Sequence, residues 1–411
     1  MPSKNDRSVL RELAQRTAEI AALPVQEEKR RLWRKLNRCE PVRPMVMIDQ
    51  ICWNEMGNDE SLVLQCEDAL CRAYETGLRR QLYQWHRFPV DMVVEPFIYI
   101  PRAVHNTGFG VEVQEEIASL DPTNSVVGHK FHNQFSTEAD LEKIMTPRIE
   151  EDKSETDRRM EEAQAIFGEI LAPRLHGVDP YLSLWDPIST WMGVENALFA
   201  LIEKPAFMHQ LVGRVAAGYM AMLDQLEEQG LLCEPQPLIH CTGAYTDELP
   251  ATGYDPTRPR TKDLWMFGLA QMFSAVSPQM FKEYEVDYAS QICDRFGLVY
   301  YGCCDPLDGK MSEVRLIPNV RKVSMSPWVN EEAGAEAIGK EYVFSRKPNP
   351  AHLAFDTFDE ALVRNHLMTT KKVCKKYGCP LELILKDIST IRYEPSRLEQ
   401  WAAIAMQVVC E

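Results

Sequence analysis

The chain contains no Cys-x-x-Cys pair, no Gly-x-Gly-x-x-Gly run, no internal repeat and no low-complexity tract. The first absence removes the strongest zinc-ribbon signal, and the second leaves nothing to favour a dinucleotide-binding sheet. No apolar run approaches the roughly 20 residues a membrane helix needs. The N-terminal Met1-Pro2-Ser3-Lys4-Asn5-Asp6-Arg7 has no apolar stretch of the signal-peptide kind. A soluble, cytoplasmic protein without a membrane partner is therefore expected. An excess of basic residues is also lacking: 45 Lys and Arg against 61 Asp and Glu give a formal charge of −16. That balance argues against a general nucleic-acid binder, which needs clustered cations for phosphates. It favours solubility and leaves protein partners open.

What is present is enough for a full core. Apolar residues make up 45% of 411 positions and charged residues 26%, so one large domain or two medium ones fit. Twelve cysteines in a chain of this size, in a reducing compartment, read mostly as buried apolar thiols, with a minority free to act as nucleophiles or metal ligands.

Apolar residues at three and four spacing predict helices over Ser8 to Ala22 and Gln26 to Asn37, parted by Pro24. They form an N-terminal helical segment, residues 1–43, before a larger unit, 44–411. In that unit eight strand candidates alternate with helical sequence: Pro44 to Asp49, Met92 to Tyr99, Tyr181 to Trp185, Leu264 to Phe267, Leu298 to Tyr301, Lys322 to Met325, Glu341 to Phe344 and Leu381 to Leu385. The clearest helices between and after them are Pro205 to Gln229, Pro278 to Arg295, Phe358 to Tyr377 and Pro395 to Val409. Eight strands, each followed by a helix, predict a closed parallel (β/α)8 barrel of the TIM type; an open doubly wound sheet is the alternative. Two insertions, about 105–175 and 233–262, exceed ordinary connections. The first holds a hairpin candidate at Ser125 to His132 and a charged helix at Glu150 to Glu169. Excursions of this length cover a site or build an interface, such as that of a homodimer.

In a repeating strand and helix chain, chemistry collects where strands end. Leu298-Val299-Tyr300-Tyr301-Gly302-Cys303-Cys304-Asp305 is the most informative such place, an apolar run that stops at a glycine, two thiols and a carboxylate. A Cys303 thiolate with the carboxylate of Glu95, or with a histidine, would make an open zinc site; the alternative is a cysteine packed into the wall. His240 and Cys241 carry ligand chemistry in the second insertion. Glu95 lies inside an apolar run, where an unpaired carboxylate is costly. Asp49, Asp186 and Tyr301 are candidate acids with Glu95. Trp53, Tyr99 and Trp328 suit an aromatic or amphiphilic substrate, and Arg346 and Lys386 a negative charge.

Four segments together resemble the uroporphyrinogen decarboxylase superfamily: Arg30 to Pro44 leading into the first strand, Val276 to Tyr284, the Gly302-Cys303-Cys304 tip, and Pro348-Asn349-Pro350. Their order spans the chain from Arg30 onward. The resemblance implies a (β/α)8 barrel with its site at the carboxyl ends of the strands. The decarboxylase itself carries arginines after its first strand, where this chain reads Met47-Ile48-Asp49-Gln50-Ile51-Cys52-Trp53; the better match is to the corrinoid-linked methyltransferase branch. Members of that branch bind zinc through a His-x-Cys after the fifth strand and a later cysteine. Cys303 fits that cysteine, Tyr301 occupies the histidine position, and no cysteine stands at the tip of the seventh strand, so the zinc set is incomplete.

The resemblance implies transfer of a methyl group between a small O- or N-methylated compound and a corrinoid on a partner protein, possible zinc assistance included. A metal-independent lyase or decarboxylase on the same barrel, or a non-catalytic ligand-binding subunit, are the rival expectations.

Overall fold

The computed structural model describes residues 2–57, 59–119 and 127–411. Seven strands form its central sheet: β1 Met45–Ile48, β2 Tyr181–Leu182, β3 Trp265–Gly268, β4 Leu298–Tyr301, β5 Val320–Met325, β6 Val343–Arg346 and β7 Leu381–Leu385. All pairings are parallel, in the order β1-β7-β6-β5-β4-β3-β2. From β2 to β7 each strand lies beside its sequence neighbour, and β7 lies beside β1, as in a barrel.

The ring is not closed among the described residues. Of the eight expected strands, the Met92 to Tyr99 candidate is absent from this sheet. Its place is Phe97–Pro101, which pairs with Ala172–His176 in a separate two-stranded sheet. The reason lies in who satisfies the backbone of residues 90–94. Side chains of the helix Pro24–Asn37 reach it first: Lys29 Nζ donates to the carbonyls of Val90 and Met92, Trp33 Nε1 to that of Asp91, and Gln26 Oε1 accepts from Val94 N. With those groups engaged and Pro96 without an N–H, little is left for a strand ladder.

Two faces of the sheet follow from alternation along each strand. Val46, Ile48, Met266, Val299, Val323 and Leu383 face the surrounding helices. Met45, Met47, Trp265, Phe267, Leu298, Tyr300, Val343 and Ile384 meet in another cluster. Residues of β1, an edge strand, and of β3, near the other edge, share that cluster, so the sheet curls around it.

The second insertion fills the curl. Its short antiparallel pair, Leu238–Ile239 with Thr242–Gly243, contributes Ile239, Cys241 and Ala244 to the inner cluster. Lys322 on β5, Glu382 on β7 and Thr242 are fully buried there. Lys322 Nζ donates to Glu382 Oε2 at 2.7 Å, Thr242 Oγ1 at 2.9 Å and the Gly243 carbonyl at 3.1 Å, while Thr242 Oγ1 donates to Glu382 Oε2 at 2.7 Å. Gly243 has no room for a side chain, since a Cβ would stand 2.5 Å from the Trp33 ring.

The first insertion holds the antiparallel pairs Val104–Asn106 with Ile149–Glu151 and Glu115–Ala118 with Gly128–Phe131, then the helix Lys153–Phe167. Of the hairpin candidate Ser125 to His132, residues 128–131 form one strand, and its partner Glu115–Ala118 lies before the candidate; Ser125 and Val126 lie outside the described residues. Helix Lys4–Ala21 starts at a capping box between Ser3 and Asp6 and packs on Lys153–Phe167 in a satellite core containing Leu10, Leu13, Ile166 and Phe167. No described helix is long and apolar enough to cross a membrane.

Removing one partner of a buried pair strands the other charge, at a cost of about 3–5 kcal/mol. Glu382→Gln should lower unfolding stability by that order in urea titrations. The double change Lys322→Met with Glu382→Leu should recover most of the loss; failure of the double change to recover it would show that the charges themselves hold the inner cluster.

Candidate active site

The inward register predicts which side chains reach the carboxyl ends of the strands. Continuing Met45 and Met47 of β1 gives Asp49; Val343 and Ser345 of β6 give Lys347; Glu382 and Ile384 of β7 give Lys386. On β4 the register changes. Gly302, the next inward position, takes a φ of +91°, and a Cβ there would lie 2.5 Å from Leu307 Cδ1. The positive φ is what calls for glycine here. The turn directs Cys303 into the inner cluster and keeps Cys304 beside it, so the two sulfurs stand 3.5 Å apart. The Cys303 carbonyl is fixed by Ser324 Oγ at 2.9 Å.

Lys386 Nζ donates to Cys303 Sγ at 3.1 Å and lies 3.3 Å from Asp387 Oδ2. The hydrogen bond with Cys304 holds the Cys303 thiol well below the usual cysteine range, with His240 and the Lys386 charge adding to it against the cost of burial. Cys304 moves the opposite way, because its proton is the one shared with the Cys303 sulfur. Burial works against the Lys386 charge, yet the Cys303 thiolate and Asp387 outweigh it and leave the ammonium above an ordinary lysine. The pair is thus a thiolate and an ammonium, each stabilising the other in a poorly hydrated place.

The pair opens on a cavity of about 410 Å³, lined by Cys303, Cys304, Lys386, Lys347, Trp328 and the Pro348-Asn349-Pro350 segment, with Pro327 and Asp387. Trp328 is 72% exposed at its rim. Lys347 lies beneath, donating to Ser345 Oγ at 2.7 Å and to Tyr300 Oη. Burial among neutral hydroxyls pulls Lys347 below an ordinary lysine. Asp49 is raised by burial, opposed by His240 and Lys386. His240 sits at a φ of +52° with its ring stacked on Phe267, 4.0 Å between centroids, and its Nε2 is buried without a hydrogen bond.

Of the residues expected from sequence, Cys303, Lys386, Asp49, His240 and Trp328 come to this one end. Asp186 is held nearby by Tyr181 Oη at 3.4 Å and Gln271 Nε2 at 3.3 Å. The others lie elsewhere. Glu95 is paired with Arg30 Nη2 at 2.9 Å and accepts from Tyr245 Oη at 2.5 Å. With Tyr99 it lines a separate cavity that also touches Trp265, at the amino end of β3. Trp53 packs under Arg80 and against Tyr83. Arg346 points outward to Glu331, 2.6 Å away. Tyr301, also outward, donates to Glu285 Oε1 at 2.8 Å behind the sheet. Cys241 lies below the cavity, 3.8 Å from Tyr300 Oη, its thiol pushed up to about 11 by burial.

These positions do not suit the expected zinc ion. Glu95 is at the other end from Cys303, Cys241 is a buried thiol on a tyrosine, and the Cys303 sulfur already faces an ammonium. Among the described residues no group of three or more His, Cys, Asp or Glu side chains is placed to hold a metal. Sequence reasoning missed Lys347 and Tyr181. Placing β6 two residues early made Arg346 look like its tip, whereas the inward series from Val343 leads to Lys347.

No protein-family model matches the chain, and neither does any curated protein. Among solved structures, a methyltransferase from Methanosarcina mazei superposes over 92% of this chain and 97% of its own, with a TM-score of 0.51 and 10% sequence identity. The likeness is one of fold.

Two measurements probe this arrangement. Alkylation of Cys303 by iodoacetamide should stay nearly flat from pH 8 to pH 6, where an ordinary thiol slows about tenfold per unit. Lys386→Met should restore that steep fall; an unchanged profile would dissociate the thiolate from Lys386. Behind the sheet, burial pushes Glu285 up to about 8 from an ordinary value of 4.5. The folded state therefore holds the proton more tightly, and Glu285 costs stability progressively as pH rises from about 4.5 to 8, at ~1.4 kcal/mol per unit. Thermal melts of Glu285→Gln should gain on the parent protein across that window.

Proposed function

We propose that this chain is a cytoplasmic methyltransferase, moving a methyl group between a small O- or N-methylated compound and a corrinoid carried by a partner protein. The observation that carries the reading is the Lys386 ammonium, held 3.1 Å from the Cys303 sulfur on the wall of a 410 Å³ cavity at the carboxyl end of the sheet. The fold shared with a protein named a methyltransferase supports it. So does the resemblance of four segments to the uroporphyrinogen decarboxylase superfamily, whose corrinoid-linked branch is the better match.

When a methyl group leaves oxygen or nitrogen, the electron pair of the broken bond stays on the heteroatom. A corrinoid would supply the nucleophile that accepts the methyl group. Lys386 supplies the counterpart, a hydrogen-bond donor and proton for the leaving heteroatom. Cys303 keeps Lys386 charged until that moment, and Asp49, drawn towards its neutral form by burial, faces the same charges. Trp328 and the proline-lined wall would fit a small apolar or aromatic donor.

A second reading is favoured by one feature. Lys347 and Lys386 line the same cavity, and two lysines suit a carboxylate, as a lyase or decarboxylase would need.

Methyl donors screened with a corrinoid protein test the first reading. Lys386→Met should lower kcat by about 10²–10³-fold, the range of a lost general acid, with a smaller change in KM. Full activity in that variant would remove Lys386 from the chemistry. Turnover of a carboxylate with no corrinoid protein present would favour the lyase.

A further inference from the structure

We propose that Cys303 and Cys304 form a peroxide-reactive dithiol, in which Cys303 is oxidised first and Cys304 closes a disulfide with it. The inference deepens the same site, resting on its thiolate and ammonium pair but not on methyl transfer. Three observations meet. The two sulfurs are 3.5 Å apart on a backbone turned by Gly302. Lys386 Nζ is 3.1 Å from the Cys303 sulfur alone of the two. Cys303 is 8% exposed and lines an open cavity, while Cys304 is exposed beside it. A small hydroperoxide fits where a methyl donor would.

The chemistry balances within the site. The Cys303 thiolate attacks one peroxide oxygen; the S–O bond forms, the O–O bond breaks, and the departing hydroxide or alkoxide takes a proton from Lys386. Cys303 is then a sulfenic acid. The Cys304 sulfur attacks it, an S–S bond replaces the S–O bond, and the hydroxide leaves as water with the Cys304 proton. The dithiol has given two electrons, and the hydroperoxide has become water or an alcohol. Adjacent Cα atoms are ~3.8 Å apart, closer than most disulfides span, so a small thiol should reopen the ring readily. Oxidation would consume the thiolate that keeps Lys386 charged and so silence the site reversibly.

Accessibility alone would favour Cys410, which is exposed at the far end of the chain. The test is therefore a competition. The full-length protein is treated with hydrogen peroxide at pH 7, blocked with N-ethylmaleimide and mapped by mass spectrometry. The Cys303–Cys304 peptide should lose two hydrogens and escape the label about tenfold faster than Cys410 is oxidised, and dithiothreitol should restore labelling. In Cys304→Ser, dimedone should trap the sulfenic acid on Cys303. Lys386→Met should slow the first step by about tenfold. Oxidation of Cys410 ahead of Cys303, or sulfenic acid persisting on Cys303 in the unaltered protein, would overturn the proposal. The readout is a mass and needs no methyl donor, so its failure and that of the methyltransferase reading are separable.

Discussion

The fully buried ion pair between Lys322 and Glu382 is the interaction on which the interior depends. It spans from β5 to β7 across the inner face of the sheet and gathers Thr242 and the Gly243 carbonyl from the inserted hairpin. An isolated ammonium in such a place would be very costly, and burial does pull Lys322 below an ordinary lysine. Its hydrogen bonds to three acceptors offset that cost only while the hairpin is seated. The hairpin in turn carries His240 up against Phe267 and Cys241 against Tyr300. A structural charge pair deep in the curl thereby sets the floor of the cavity.

Much of this was legible because short, doubly buried strands stand out as apolar runs bounded by turn residues. Leu298–Tyr301 was readable to the residue, and Pro205–Gln229 equally so as a long amphipathic helix. Asp49 and Lys386, read as residues just after their strands, also fall on the inner face by period-two alternation. That alternation also explains what went astray. Tyr301 and Arg346 are one position out of register with the inner face, so each reaches Glu285 or Glu331 behind the sheet instead. A local pattern shows that a side chain alternates; it does not show which face is inside until the sheet has curled. The strand expected at Met92 to Tyr99 failed for a different reason. Its backbone partners are side chains from a helix some sixty residues earlier, and no local pattern reveals a competition of that kind.

The fold of the insertions was the least readable part. Their short strands carry exposed, polar faces, as in Glu115–Ala118, and take partners that no periodicity announces. Glu95 illustrates the consequence for function. A carboxylate in an apolar run was expected as an acid or zinc ligand, but it is engaged by Arg30 and Tyr245, one from the N-terminal helical segment and one from the second insertion. Both are invisible to spacing along the strand. The cost of burial identified a residue that needs company, and only the tertiary structure identified the company.

Lys347 and Lys386 end neighbouring strands on the same inner face, yet burial moves them to opposite outcomes. Lys347 meets the hydroxyls of Tyr300 and Ser345, which can accept a hydrogen bond but offer no charge, and desolvation wins. Lys386 meets a thiolate at 3.1 Å, where an attraction between full charges is several kcal/mol even at the moderate effective dielectric of a half-buried site, and the charge wins. On the methyltransferase proposal, this division bears on the substrate. An aliphatic alkoxide is basic enough to take the Lys386 proton outright, leaving a neutral amine beside the Cys303 thiolate. A phenoxide, with a pKa near 10, is less basic than that amine and would instead be held as an ion pair, so the ammonium survives the step. Since the thiolate would lose its counter-charge only in the first case, the proposed reaction would fit an aromatic leaving group better than an aliphatic one, in keeping with the indole of Trp328 at the rim of the cavity.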